Sequence, residues 1–284
     1  MENSDFRSIL VPLDGSASAD AALRLALRLV APHGAVVIAH AIHRNAISVE
    51  GTAAYDGAPV PAIEALTVPE RDIFEGASGH ARDAGIKYTT VRLDGEPSSS
   101  ILSLARELKV DAIAMGTHGR RALARIVLGS TAAAVLRDAA IPIFVVHENA
   151  KGISGALRQI VVALDASPAA SDAARTAVDL AVRNGAQVFF AQVAAIHDGA
   201  AEADALAKAR AHALAFGVKT DSAILHGDAA GALRLCAETC HAGLIVLATG
   251  TVAEAMVRMS PVPVLILPTP APAAMEPVPL YIGG

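Results

Sequence analysis

The chain's 284 residues are enough for two domains of ordinary size, and with 53% of them apolar each half can bury a sizeable core. A net charge of −5, from 23 Lys and Arg against 28 Asp and Glu with no basic block, argues against nucleic acid as a main partner. No apolar run reaches the roughly 18 residues that a membrane span needs, so no membrane partner is expected.

The chain begins Met-Glu-Asn-Ser-Asp, an acidic start unlike a secretory leader, and a cytoplasmic protein is expected. Residues 9–14, Ile-Leu-Val-Pro-Leu-Asp, read as a short apolar strand ending in Asp14, followed by a Gly15-Ser16 turn and an amphipathic helix. That helix is expected to end near Gly34, where glycine suits the left-handed C-terminal conformation. A second strand spans 36–42. An insert follows at 44–61, rich in Ala, Gly and Pro, which reads as a mobile surface loop or lid. Ser98, Ser99 and Ser100 are placed at the start of a helix, where serine satisfies free backbone N–H groups. Further strands are expected at 111–115 and from Ile141-Pro142-Ile143-Phe144.

The pattern then repeats. Residues 160–165, Ile-Val-Val-Ala-Leu-Asp, match 9–14, and Ala166-Ser167 matches Gly15-Ser16. Gly185 matches Gly34, and strand 188–194 matches 36–42. Leu225-His226-Gly227-Asp228 matches Leu93-Asp94-Gly95-Glu96, and Val262-Pro263-Val264-Leu265 matches the last strand of the first half. Apolar strands alternating with helices point to a parallel sheet covered on both faces, so the fold class is α/β, two tandem doubly wound domains. The expected units are 1–149, 156–270 and a Pro-rich tail at 271–284. Cys236 and Cys240 lie four apart on a predicted helix and, lacking nearby ligands, read as two reduced thiols rather than a zinc site. The ten histidines, His33, His40 and His43 among them, read as solvated or turn residues rather than metal ligands.

The chemistry is concentrated after the fourth strand of the first half, in Met115-Gly116-Thr117-His118-Gly119-Arg120, with Gly129-Ser130-Thr131 nine residues beyond Gly119. The spacing is G-x-x-G-x9-G-S at the carboxyl end of an inner strand, where open α/β sheets bind ligands. Glycines let backbone approach an anion, and the amides and dipole of the helix after Gly129 favour phosphate. Ser130 and Thr131 add hydroxyl donors, and Arg120 with His118 can reach outer phosphates. Asp14 lies beside the same crevice, where it accepts hydrogen bonds from ribose hydroxyls, holds a metal-bound water, or caps a helix or turn.

On Val11-Pro12-Leu13-Asp14-Gly15-Ser16, His40-Ala41 and Gly116-x-x-Gly119-x9-Gly129-Ser130, the chain resembles a tandem universal stress protein of the ATP-binding branch. The resemblance implies five-stranded sheets of order 3-2-1-4-5 and ATP, with Mg2+, as cofactor. It assigns the nucleotide to Pro12, Leu13, Asp14, Ala41, Met115, Gly116, His118, Gly119, Arg120, Gly129, Ser130 and Thr131. It also implies pairing of the last strands as an intrachain pseudo-dimer, and homodimerisation of the chain. In the second half Ala248 replaces the first glycine, Gly250-Thr251 matches Gly129-Ser130, and residues 118–128 have no counterpart. An ATP site is therefore expected in the first half alone.

P-loop, dinucleotide-binding and nucleophile-elbow motifs are absent. The expectation is a non-catalytic ATP-binding regulatory module in a stress response. The alternatives are a slow ATPase or phosphoryl- or nucleotidyl-transfer enzyme, and a scaffold.

Overall fold

The structure is a computed structural model that describes residues 6–42, 52–54, 68–117, 128–153, 155–193 and 199–269. The first half runs β1 (Ser8–Pro12), α1 (Ala17–Leu29), β2 (Ala35–Ile42), β3 (Thr52–Ala54), α2 (Val68–Asp83), β4 (Lys87–Asp94), α3 (Pro97–Glu107), β5 (Ala112–Gly116), α4 (Ser130–Asp138) and β6 (Ile143–Val146). The second runs β7 (Gln159–Leu164), α5 (Pro168–Asn184), β8 (Gln187–Val193), α6 (Gly199–Ala215), β9 (Thr220–Leu225), α7 (Ala229–Thr239), β10 (Leu244–Ala248), α8 (Thr251–Met259) and β11 (Val264–Leu267).

The eleven strands of the described residues form one sheet of order β3-β4-β2-β1-β5-β6-β11-β10-β7-β8-β9. Each half contributes a parallel five-stranded unit of order 3-2-1-4-5, built by crossover helices. The halves meet where β6 and β11 pair antiparallel, with Phe144 opposite Leu265.

Strand alternation explains why both faces are covered. In β1, Ile9 and Val11 join the core under α1, α2, α5 and α6, and Leu10 joins the core under α3, α4, α7 and α8. β10 divides the same way, Leu244 and Val246 to one face and Ile245 and Leu247 to the other. Alanines on the inner faces of α1 and α5 let these helices lie close to the sheet, with Ala22, Ala173 and Ala177 fully buried.

The repeat extends to the helix starts. The Ser16 hydroxyl accepts from Ala19 N–H at 3.3 Å, and the Ser167 hydroxyl accepts from Ala170 N–H at 3.1 Å. One turn earlier, Asp14 accepts from Ser16 N–H at 3.0 Å and Asp165 from Ser167 N–H at 2.8 Å.

Three local expectations need correction. Helix α1 ends at Leu29, before Gly34, and the left-handed residue there is His33 (φ 65). Gly34 lacks a side chain because a Cβ would lie 2.5 Å from the Arg7 carbonyl oxygen. Gly185 does close α5 in the left-handed conformation, φ 63 and ψ 30. The cap of α3 is Glu96 rather than a serine: Ser98 and Ser99 lie in the first turn and donate to its carboxylate. Within the 44–61 insert, residues 52–54 form an edge strand antiparallel to β4, and the rest of the insert lies outside the described residues. The 271–284 tail also lies outside them.

Candidate functional site

In the first half the chain leaves β1 toward β2 on one side and later returns to β5 on the other. The crevice between β1 and β5 is the point where strand order reverses, the usual ligand position in such sheets. Pro12 ends β1, and Leu13 is locked beyond it by its N–H on the Ala39 carbonyl at 2.7 Å. Asp14 follows, half-buried, its carboxylate in the turn that starts α1. Ala41 lies near the end of β2, opposite Leu93. Met115 is buried in β5, and Gly116 ends that strand.

Helix packing accounts for the lack of a side chain at Gly116. A Cβ there would lie 2.4 Å from the Ser18 hydroxyl and 2.7 Å from backbone atoms of Ser18 and Ala19. The glycine thus draws the start of α1 against the end of β5 and brings Asp14 to the same crevice. Ser18, buried at that contact, is a site residue that the motif spacing did not point to.

The glycine-spaced loop has a closed neck. Thr117 N–H donates to the Val146 carbonyl at 3.0 Å, and Gly129 N–H donates to the Thr117 carbonyl at 2.8 Å. The two residues that flank 118–128, Thr117 and Gly129, are therefore held together at the carboxyl end of β5. His118, Gly119 and Arg120 fall outside the described residues. Helix α4 then begins, with Gly129 as N-cap, an exposed Ser130 and a half-buried Thr131. Helices α1, α3, α5 and α7 are capped by the side chains of Ser16, Glu96, Ser167 and Asp228. Among the described residues, no side chain caps α4 or α8.

The second half carries the same neck without the loop. Thr249 N–H donates to the Leu267 carbonyl at 2.9 Å, as Thr117 does to Val146, and Gly250 follows at once. Residues 118–128 are thus excised at the neck and the helix behind is kept.

Two histidines hold the site's surroundings. His40 is buried, and its Nδ1 lies 2.6 Å from the Leu13 carbonyl. A carbonyl only accepts, so Nδ1 carries the proton; this corrects the reading of His40 as a solvated residue. His147 donates from Nε2 to the Val257 carbonyl in α8 at 2.7 Å, and its Nδ1 faces the Thr117 hydroxyl at 3.1 Å. It links the neck of the first-half loop to a helix of the second half, a contact across 110 residues that no local motif signals.

Other chemistry is sparse. Burial and the neighbouring Cys240 thiol push Cys236 up to about 12, which makes it a poor nucleophile at neutral pH. The two sulfurs are 3.9 Å apart as free thiols. Among the described residues there is no cluster of metal-ligating side chains, and no helix is long and apolar enough to cross a membrane.

The sequence matches the profile of the universal stress protein family over residues 5–147. A universal stress protein of Methanocaldococcus jannaschii is 30% identical over 151 residues, covering 51% of this chain and 85% of that protein. A universal stress protein of Mycolicibacterium smegmatis is 28% identical over 185 residues, covering 62% of this chain and 60% of that protein. Among solved structures, a universal stress protein from Archaeoglobus fulgidus superposes with a TM-score of 0.73 at 20% identity, covering 94% of this chain and 99% of the other. That likeness extends the fold to the second half. With the profile covering half of the sequence and the whole chain sharing the architecture, this protein belongs to the universal stress protein family, as two tandem units of its fold.

Proposed function

We propose that the protein is a cytoplasmic, non-catalytic ATP-binding module of a stress response, with its nucleotide in the first half. The observation that carries this reading is the Gly129–Thr117 bond, which brings the two ends of the glycine-spaced segment together at the end of β5, beside the β1–β5 crevice and ahead of a helix with no side-chain cap. The amides that open α4 suit phosphate oxygens, because the helix dipole and the N–H groups both favour negative charge. Ser130 and Thr131 supply hydroxyl donors beside them. The Asp14 carboxylate accepts hydrogen bonds from ribose hydroxyls, and the backbone near Ala41 borders the base. Gly119 gives the loop its freedom of turn, and His118 and Arg120 supply charge or donors for the outer phosphates, with Mg2+ as the nucleotide's counter-ion. A bound nucleotide acts on function by favouring one arrangement of the loop and its neck.

β6 and β11 cover one another's edge within the chain, so that edge needs no second copy. Light scattering of the purified chain reads whether two copies associate.

The test is ATP titration by calorimetry of the parent chain and of Gly129→Val and Gly119→Val. The expected result is one saturable site whose affinity falls at least tenfold in each variant. Two variants that bind like the parent overturn the assignment. Turnover well above background that disappears in Asp14→Ala converts the reading to an ATPase.

A further inference from the structure

The last carbonyls of a helix need donors from outside it. In α8 the Ser260 N–H serves the Met256 carbonyl, and the next donor in register would be the N–H of residue 261. That residue is Pro261, which has none. The carbonyl of the buried Val257 takes its donor instead from His147 Nε2, at 2.7 Å.

His147 stands just beyond β6, in the other half of the molecule, and its second ring nitrogen is engaged as well. A carbonyl only accepts, so Nε2 carries the proton. In the neutral ring Nδ1 is then an acceptor, and the buried Thr117 hydroxyl, 3.1 Å away, donates to it. Thr117 is also the residue whose carbonyl holds Gly129 at the first-half neck. One imidazole thus ties that neck to the last turn of α8. The first turn of α8 opens at Gly250, beside the matching crevice between β7 and β10.

The repeat has no counterpart of this link. Thr117 N–H bonds to Val146 and Thr249 N–H to Leu267, so the residue that matches His147 is Pro268. Its side chain neither donates nor accepts. Ala139 and Ser260 close α4 and α8 in the same way, so the residue that matches Pro261 is Ala140, which keeps its N–H. The half that has lost a backbone donor therefore receives the imidazole, and the half without the loop has no imidazole to offer. The two departures from the repeat fit one another.

We propose that His147 is a positioning residue for the first-half site and couples it to the second half, so that a nucleotide held at the neck resets the end of α8. The inference rests on the reading of the first half as an ATP site. Nucleotide beside Gly129 favours one setting of the neck, and the Thr117 hydroxyl and the imidazole carry that setting to the Val257 carbonyl. By linkage, the setting of α8 biases affinity at the neck to the same extent.

The test follows the Arg258 amide signal of the full chain by two-dimensional nitrogen–proton NMR, because the Arg258 N–H shares its peptide unit with the Val257 carbonyl. In the ligand-free chain Thr117→Val is expected to shift that signal, and the same change made in a His147→Ala chain is expected to leave it in place. In the parent, ATP with Mg2+ is expected to shift it with the midpoint that calorimetry gives for ATP binding. His147→Ala is expected to lower ATP affinity about fivefold or more and to abolish the shift at saturating ATP. His147→Gln, whose amide can donate to Val257 and accept from Thr117, is expected to restore part of both, which a merely space-filling role would not require. Thermal unfolding monitored by circular dichroism checks that each variant folds, and Thr117→Val alone decides the matter where His147→Ala does not. An Arg258 signal that ignores Thr117→Val in the ligand-free chain, or an ATP shift that persists in folded His147→Ala, overturns the proposal. A parent that binds no ATP in calorimetry overturns the first-site reading and the nucleotide's part in the link. The ligand-free comparison still decides the link itself, so the two fail separately.

Discussion

Gly116 shows how one missing side chain organises the first crevice. The hydroxyl of Ser18 could swing away from an added methyl, but the Ser18 and Ala19 backbone atoms at 2.7 Å could not. Gly116→Ala is therefore expected to destabilise the chain by about 1–3 kcal/mol, the usual cost of overpacking. Adding Ser18→Ala should recover only part of that loss, and urea denaturation of both variants measures it. The first-half contact was not legible in the sequence, because Gly116 and Ser18 are 98 residues apart and only the β1–β5 pairing brings them together. His40 is similar: alternation along β2 places it on a face, but the Leu13 carbonyl that fixes its tautomer comes from the turn just beyond β1.

At the scale of the element, the capping residues divide the helices by role. Side chains close the starts of α1, α3, α5 and α7, and glycine opens α4 and α8 above the two crevices. In α3 the Glu96 carboxyl is pushed down from its ordinary 4.5 to about 2, first by the Ser99 N–H and then by the Ser98 hydroxyl. A depressed carboxyl contributes stability above its unfolded pKa and loses it as pH falls through the folded one. The contribution of Glu96 should therefore be complete above about 4.5 and fade toward about 2. Glu96→Ala is expected to cost about 0.5–2 kcal/mol near neutral pH, as loss of a cap does. The gap between variant and parent should narrow through that acid range, as read by denaturant midpoints at several pH values. The motif Asp94-Gly95-Glu96 and its repeat His226-Gly227-Asp228 placed both helix starts. Which side chain caps α3 depended on the turn at Gly95, φ 111, which aims Glu96 rather than a serine at the amides.

For the whole molecule, the seam between the halves is the decisive feature. Phe144 is fully buried there, opposite Leu265, and meets Phe6 edge-on at a centroid distance of 5.1 Å. Phe144→Ala should cost about 3–5 kcal/mol, within the range for large-to-small core changes. Leu108→Ala, at a position 45% exposed, should fall within about 0.5 kcal/mol of the parent; denaturant unfolding compares the two. The connection between halves is also held rather than loose: the Arg28 guanidinium of α1 donates to the carbonyls of Gly152, Ile153 and Gly155. All three carbonyls accept from Nη1, and burial lowers that guanidinium's pKa.

The α/β class, the tandem repeat, the alternation of parallel strands and helices and the excision of eleven residues at the second-half neck could be read from the amino-acid order, whereas the edge strand β3 could not. These follow from local periodicity and from the comparison of one half with the other, which are properties of adjacent residues. Folding was needed to reveal that Gly116 is required by α1, that His147 joins Thr117 at the first-half neck to α8, and that Phe144 faces Leu265 in the expected pairing of the last strands. These contacts connect groups roughly a hundred residues apart, and their partners are chosen by strand pairing and packing, which no local pattern encodes.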